Sequence, residues 1–166
     1  MPLETVAVTH RELPLLFSLV REDFPELTQE SWATYAMPYV DESIHGGMSG
    51  MVAARTTALN QFRGLFLYSV ETTLRHPRTL VVPHAVLPQA LGSDAVADMF
   101  LGCWQQIAAR HGCGQLQLNL SQLMVEKVLT QFGDAASVET FCVCMMTAPS
   151  PPRQLRQRSG QIINLH

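Results

Sequence analysis

At 166 residues the chain is long enough for one full domain and too short for two ordinary ones. Hydrophobic residues make up 47% and charged residues 15%, a globular balance. No apolar run approaches the ~20 residues that cross a membrane, and the N-terminal stretch lacks the basic start and apolar block of a signal peptide, so no membrane partner and a cytoplasmic location are expected. A net charge of −3 argues against broad nucleic-acid binding, which needs a basic surface.

In chain order, Glu4–Thr9 reads as a short strand. Thr9 then opens a helix with Glu12 as its capping-box partner. Leu13, Leu16, Phe17 and Val20 recur at helical spacing, and Pro25 ends the helix. Thr28 caps a second helix carrying Trp32, Tyr35 and Tyr39, which Pro38 is expected to break. Gly46, Gly47 and Gly50 in the loop Asp41–Gly50 imply either mobility or a tight backbone path.

Met51–Arg55, Gly64–Leu74 and Thr79–Pro88 follow as an antiparallel meander, with a turn at Arg75–Arg78. The third strand is nearly continuous in apolar residues, as central strands are. Ser93 caps a helix whose Val96, Met99, Phe100, Cys103, Trp104 and Ile107 form one stripe, ended by Gly112 or Gly114. Gln115–Ser121 alternates leucines with polar residues, Gln122–Phe132 is a further helix, and Val138–Thr147 a final strand. A single domain over 1–148 is followed, after the proline-rich break at Pro149–Pro152, by a basic tail or last edge strand over 149–166, through which a homodimer can form.

The order is β-α-α-β-β-β-α-β-α-β, an α/β chain with a mixed sheet. Its central strand–helix–strand unit should be a right-handed parallel crossover. The four cysteines are too few for a disulfide scaffold. Cys142 and Cys144 share one strand face and read as small buried residues, because no C-x-x-C spacing or nearby histidine pair accompanies them; no metal site is expected.

That order resembles the GNAT superfamily of acyl-coenzyme A-dependent N-acyltransferases, over about residues 4 to 147. The resemblance implies that backbone groups of Val86 and Leu87, at the end of the fourth strand, pair with the pantetheine arm of acetyl-CoA or another acyl-CoA. The following loop and helix start would hold the pyrophosphate, since open amides aligned with a helix dipole attract anions. The family writes that loop as Gln or Arg, two residues, Gly, one residue, then Gly or Ala. Gln89 and Gly92 fit the first half, Ser93 opens the helix, and Asp94 stands where Gly or Ala is expected. Asp94 and Asp98 complement the helix dipole themselves and would repel a pyrophosphate, by about 0.7 kcal/mol for two exposed charges ~6 Å apart in water. Arg75, His76 and Arg78 are the nearest cations in sequence to offset this.

Acyl transfer to an amine needs a group to take the amine proton. Glu71 and His84 are the candidates on the central strands, with a packed core or edge role as the plain alternative for each. Asn119 matches the Asn that the family often places at the end of the fifth strand to bond the cofactor arm; it could equally satisfy backbone where two strands part. The family's usual acid, a Tyr in the fourth helix, is missing: Val128 or a neighbour stands there. Tyr35, Tyr39 and the loop around His45 lie where the family gathers its acceptor, and an aromatic helix beside a loop suits a pocket wall as well as plain packing. The resemblance therefore implies transfer of an acyl group, acetyl first among them, to an amine of a small molecule or peptide. Two other readings stay open: a ligand-binding or regulatory module on the same fold that has lost catalysis, and an unrelated mixed α/β domain.

Overall fold

The computed structural model describes residues 2–72, 74, 78–87, 93–120, 122–132, 136–139 and 142–146. Three pieces of the sequence reading lie outside them: the turn at 75–77, the loop at 88–92 and the tail at 149–166.

Seven strands form one sheet in the order β1-β2-β3-β4-β5-β7-β6. These are β1 (Leu3–Ala7), β2 (Ser49–Thr56), β3 (Phe62–Glu71), β4 (Thr79–Val86), β5 (Gln115–Asn119), β6 (Ala136–Glu139) and β7 (Cys142–Met146). The β4–β5 pair is parallel and every other pair antiparallel, which is the mixed sheet expected. Helices α1 (Leu13–Asp23) and α2 (Gln29–Ile44) precede β2, α3 (Ser93–His111) joins β4 to β5, and α4 (Gln122–Phe132) follows β5.

Each face of the sheet carries its own core. On one, Phe66, Phe100, Trp104, Leu116, Leu118 and Met124 pack α3 and α4 against the strands. On the other, Leu16, Val20, Trp32, Ala36, Met51 and Leu67 pack α1 and α2. Along β3 the side chains alternate between the two cores, Leu65 and Leu67 to the α1/α2 side and Phe66 to the α3/α4 side, as the period of two requires.

Three elements differ from the sequence reading. Helix α1 begins at Leu13, not Thr9: the Glu12 carboxylate accepts from the Thr9 N–H at 2.8 Å and from its hydroxyl at 2.9 Å. A start at Thr9 would place Pro14 beyond the first turn, where its ring clashes and its missing N–H leaves a carbonyl open; from Leu13 it falls where helices accept proline. Helix α2 runs unbroken through Pro38. Pro38 and Thr34, whose carbonyl loses its partner, are both exposed, while Trp32, Ala36 and Val40 hold the buried face on either side. The strand expected over Val138–Thr147 is two strands, β6 and β7, paired antiparallel. The five residues of β5 all pair with the five of β7, so the N-terminal part of that apolar stretch finds its partner in β7 itself.

Two glycines meet local demands of the backbone, one a positive φ and one a close approach. Gly46, with φ +68°, ends α2, and the Gly47 N–H reaches back to the Glu42 carbonyl at 2.8 Å, so the glycine loop is a tight backbone path. Gly64 lies where α3 crosses β3. A β-carbon there would meet the Val86 carbonyl oxygen at 2.9 Å and a Val96 methyl at 3.1 Å. Gly64→Ala is therefore expected to lower unfolding free energy by about 1–3 kcal/mol, measured by urea denaturation, because overpacking outweighs the few tenths gained from a stiffer unfolded chain.

Candidate active site

The site is made by a break in the regularity of β4. Ser69 of β3 stands opposite Val81, and Leu67 opposite His84. Two steps along β3 thus match three along β4, so β4 carries an extra residue, a β-bulge, at Val82–Pro83. Proline suits that position, since it has no N–H to give to a ladder. The bulge reverses which way later side chains point. Leu80 and Val82 pack into the α3/α4 core; two residues further, His84 would follow them in a regular strand. Instead His84 lies with Val86 on the α1/α2 side.

The same break ends the pairing with β5. The parallel register runs from Thr79↔Gln115 to Val82↔Leu118 and stops, whereas β5 continues its own register with β7 to Asn119. Among the described residues, β4 beyond Val82 has no partner on its β5 side. The two parallel strands part there, and the backbone groups of Pro83–Leu87 not bonded to β3 line the gap. Asn119, exposed at the end of β5 and pointing away from the α3/α4 core that holds Leu116 and Leu118, stands across that gap on the same sheet face as His84.

His84 is half-buried between two aromatic rings, Phe24 at 5.6 Å and Tyr35 at 5.7 Å between centroids, both edge-to-face. Beside it is a cavity of about 190 Å³, lined by Val20 of α1, Phe24 and Leu27 between the helices, Trp32 and Tyr35 of α2, Leu65 and Leu67 of β3, and His84 and Val86 of β4. The Trp32 Nε1–H donates to the Leu13 carbonyl at 3.1 Å, which fixes that wall. Burial lowers the His84 pKa from the ordinary 6.5, because an apolar surround penalises the imidazolium; at neutral pH the ring is an uncharged base. Burial, then a hydrogen bond to Tyr39 and that neighbour's charge, push the Tyr35 phenol up to about 12, so it stays protonated.

The other predicted residues are distributed as follows. Tyr39 packs against Tyr35, ring centroids 5.8 Å apart, and so joins the His84 wall at second hand. Val86 is buried on the cavity side and Leu87 packs on the α3/α4 side. Glu71 is exposed at the far end of β3, opposite Thr79, with Ser69 Oγ donating to it at 3.0 Å. It is four residues along β3 from Leu67, the partner of His84, roughly 13 Å at a strand's rise, and the structure does not bring the two together. His45 ends α2, ten residues beyond Tyr35 and so roughly 15 Å along the helix, with its Nδ1 2.7 Å from the Asp41 carbonyl. Gln89 and Gly92 lie outside the described residues, and Ser93 is described only as the backbone start of α3.

The acids at the start of α3 are not bare. Lys127 of α4 places its Nζ 2.8 Å from Asp98 Oδ1, 3.3 Å from Asp94 Oδ1 and 2.9 Å from the Asp94 carbonyl oxygen. Burial alone would lower the Lys127 pKa, but the hydrogen bonds and charges of Asp98 and Asp94 outweigh it and raise it, so the ammonium is held. Arg78, expected to offset these acids, instead donates from Nη1 to the His111 carbonyl at 2.7 Å, at the other end of α3; Arg75 and His76 lie outside the described residues. Sequence reading missed Lys127, although it is the single lysine of the chain and sits beside Val128. It also missed the bulge, whose signal was Pro83 inside a strand otherwise read as central.

Solved proteins share this overall fold. The PaiA N-acetyltransferase of Thermoplasma acidophilum, in complex with coenzyme A, superposes with a TM-score of 0.65 at 12% identity, over 89% of this chain and all of the other. An acetyltransferase of the GNAT family from Streptococcus pneumoniae does so with 0.62 at 12%, over the same shares. The chain has the GNAT fold. AAC(6')-Iy, in complex with the bisubstrate analogue CoA-S-monomethyl-acetylneamine, gives 0.64 at 13% identity over 80% of this chain and 90% of its own. No protein-family model matches the sequence, and no curated protein does. Among the described residues, no group of three histidine, cysteine or acidic side chains could hold a metal ion, and no helix is long and apolar enough to cross a membrane.

The burial of His84 predicts a pH effect on stability that is independent of function. Its folded pKa lies below the unfolded 6.5, so the stability it contributes is present above 6.5 and is lost as pH falls through the folded value. His84→Gln should show a smaller drop in Tm than the parent between neutral pH and about pH 5, measured by differential scanning calorimetry.

Proposed function

We propose that the chain is an acyl-coenzyme A-dependent N-acyltransferase, acetyl being the first acyl group to test, with the parting of β4 and β5 as the thioester site and His84 as the general base. The observation that supports it most is the β5-facing edge of β4 past Val82, unpaired among the described residues, immediately beside a neutral, half-buried imidazole. A pantetheine arm carries two amides and suits an unpaired strand edge, as an added peptide strand does. The residues present fit such a cofactor. His84–Leu87 would offer backbone groups, Asn119 its amide across the gap, and the start of α3 at Ser93 and Asp94 would face the pyrophosphate. Asp94 and Asp98 are bridged there by Lys127, which reduces the charge conflict that the sequence raised.

Acyl-CoA supplies an acyl carbon activated as a thioester, so that its C–S bond breaks as the C–N bond to the amine forms. The chain supplies the proton path and the dry surround. A ring nitrogen of His84, uncharged at neutral pH, accepts the proton that the amine nitrogen loses; such a positioned base is worth about 10²–10⁴-fold. The missing Tyr of α4 does not disable this scheme. A thiol ionises near 8.5, so the thiolate leaves near neutral pH without a proton donor. Tyr35, at about 12, is too weak an acid for that task and serves as a hydrogen-bonding wall.

Three outcomes follow. Coenzyme A at millimolar concentration should raise Tm by mass action, ~2.7 kcal/mol of stabilisation at a hundred times Kd, read by thermal shift. His84→Gln should lower kcat by about 10²–10⁴-fold with the coenzyme A shift retained, and should remove the acid limb of kcat that in the parent lies below pH 6.5. Glu71→Gln, altered at the other end of the strands, should keep kcat within about twofold, as surface changes remote from the chemistry do; a loss equal to that of His84→Gln would move the base to Glu71.

A further inference from the structure

The cavity beside His84 is apolar almost throughout. The Trp32 Nε1–H is given to the Leu13 carbonyl, and the Tyr35 ring packs against that of Tyr39. No carboxylate lines it. A ligand with several ammonium groups would press charge against Leu65, Leu67 and Leu27 with nothing to pair it, at a cost of several kcal/mol per desolvated charge. A ligand with one amine can leave that group at His84 and bury the rest. At about 190 Å³ the space is somewhat larger than the ~150 Å³ dry cavity known to take up benzene, so a ring with one or two methylenes, or a branched aliphatic chain, fills it.

The position of the cavity says which substrate it serves. Its lining comes from α1, α2 and the segment between them, β3 and β4, with no described residue from β5 or β7. It therefore lies on the β3 side of His84, whereas the gap beside β5 lies on the other. An acyl chain entering through the gap would have to pass the imidazole.

We propose that this cavity is the acceptor pocket and takes the aromatic or branched aliphatic group of a primary monoamine, an aryl-alkyl amine or the free amino end of a hydrophobic residue, with its nitrogen at His84. This rests on the acyltransferase reading and narrows it. Transfer from acetyl-CoA should be faster to 2-phenylethylamine than to the polyamine spermidine, by roughly ten-fold or more in kcat/KM, the scale on which one apolar group discriminates. Phenylethylamine alone should change the amide NMR signals of Leu65, Leu67 and Val86. Leu27→Trp, which fills the space from a half-buried position, should raise the phenylethylamine KM about ten-fold or more and leave the coenzyme A thermal shift unchanged. If that variant does not fold, Phe24→Leu, which enlarges the space, should shift the preference towards a naphthyl amine. Spermidine acylated as well as phenylethylamine would overturn the pocket assignment while the coenzyme A shift stands. So would a Leu27→Trp variant that loses hexanoyl-CoA but not phenylethylamine, since the cavity would then hold the acyl chain. Absence of any coenzyme A shift overturns the acyltransferase reading itself, whatever phenylethylamine does.

Discussion

One extra residue in β4 separates a structural strand from a working one. Up to Val81 the strand is ordinary, paired on both sides and packed under α3 and α4. At Pro83, which has no N–H to give, the pairing with β5 has ended, while the pairing with β3 resumes at His84. The consequences are all local and all geometric: β5 is released, the next side chain is turned to the opposite face, and a histidine that a regular strand would bury in one core is carried to the edge of the other. Burial then sets its protonation, and the aromatic side chains of α1 and α2 close over it. Removing the bulge while keeping the residues would leave no gap and no imidazole facing it.

The two faces of the sheet contribute differently. The α3/α4 side is a continuous apolar core whose largest members, Trp104, Phe66 and Phe100, are fully buried, and it carries the helix start where Lys127 holds two acids together. Exposed ion pairs of that kind add little to stability, typically 0–1 kcal/mol; what Lys127 changes is the charge at the helix start. The α1/α2 side is less complete. Its core stops short beside His84 and leaves a cavity, and Tyr35 keeps 42% exposure at the rim. One side thus supplies the rigid platform and the other the space, which is how a site gains geometric precision without filling itself.

Most of the architecture was legible because it rests on local patterns. The Leu13-Leu16-Val20 and Val96-Phe100-Trp104 spacings mark helices whatever lies across from them, and the alternation at Leu116, Leu118 and Leu120 marks a strand with one covered face. What failed was what depends on partners. The apolar continuity of Thr79–Pro88 hid a bulge that Pro83 alone announced. Glu71 and His84 are close in chain terms, but hairpin register sends them to opposite ends of the strands. Tyr35 and His45 share a helix, and its length keeps them apart, because Pro38 does not break it. His84 could be named as a candidate from its strand, yet the rings of Phe24 and Tyr35 that tune it come from far along the chain. Lys127 meets Asp94 across two helices, a pairing that no sequence spacing encodes.

The central claim is that the edge of β4 beyond Pro83 is open towards β5 and is where a thioester cofactor would lie. Residue-resolved amide hydrogen exchange tests this directly. An open edge requires the amides among His84–Leu87 that do not bond β3 to exchange rapidly in the free protein, while those of Leu80–Val82 are protected, and to become protected when coenzyme A is added. Slow exchange of all four in the free protein, or rapid exchange unaltered by coenzyme A at saturating concentration, would contradict it.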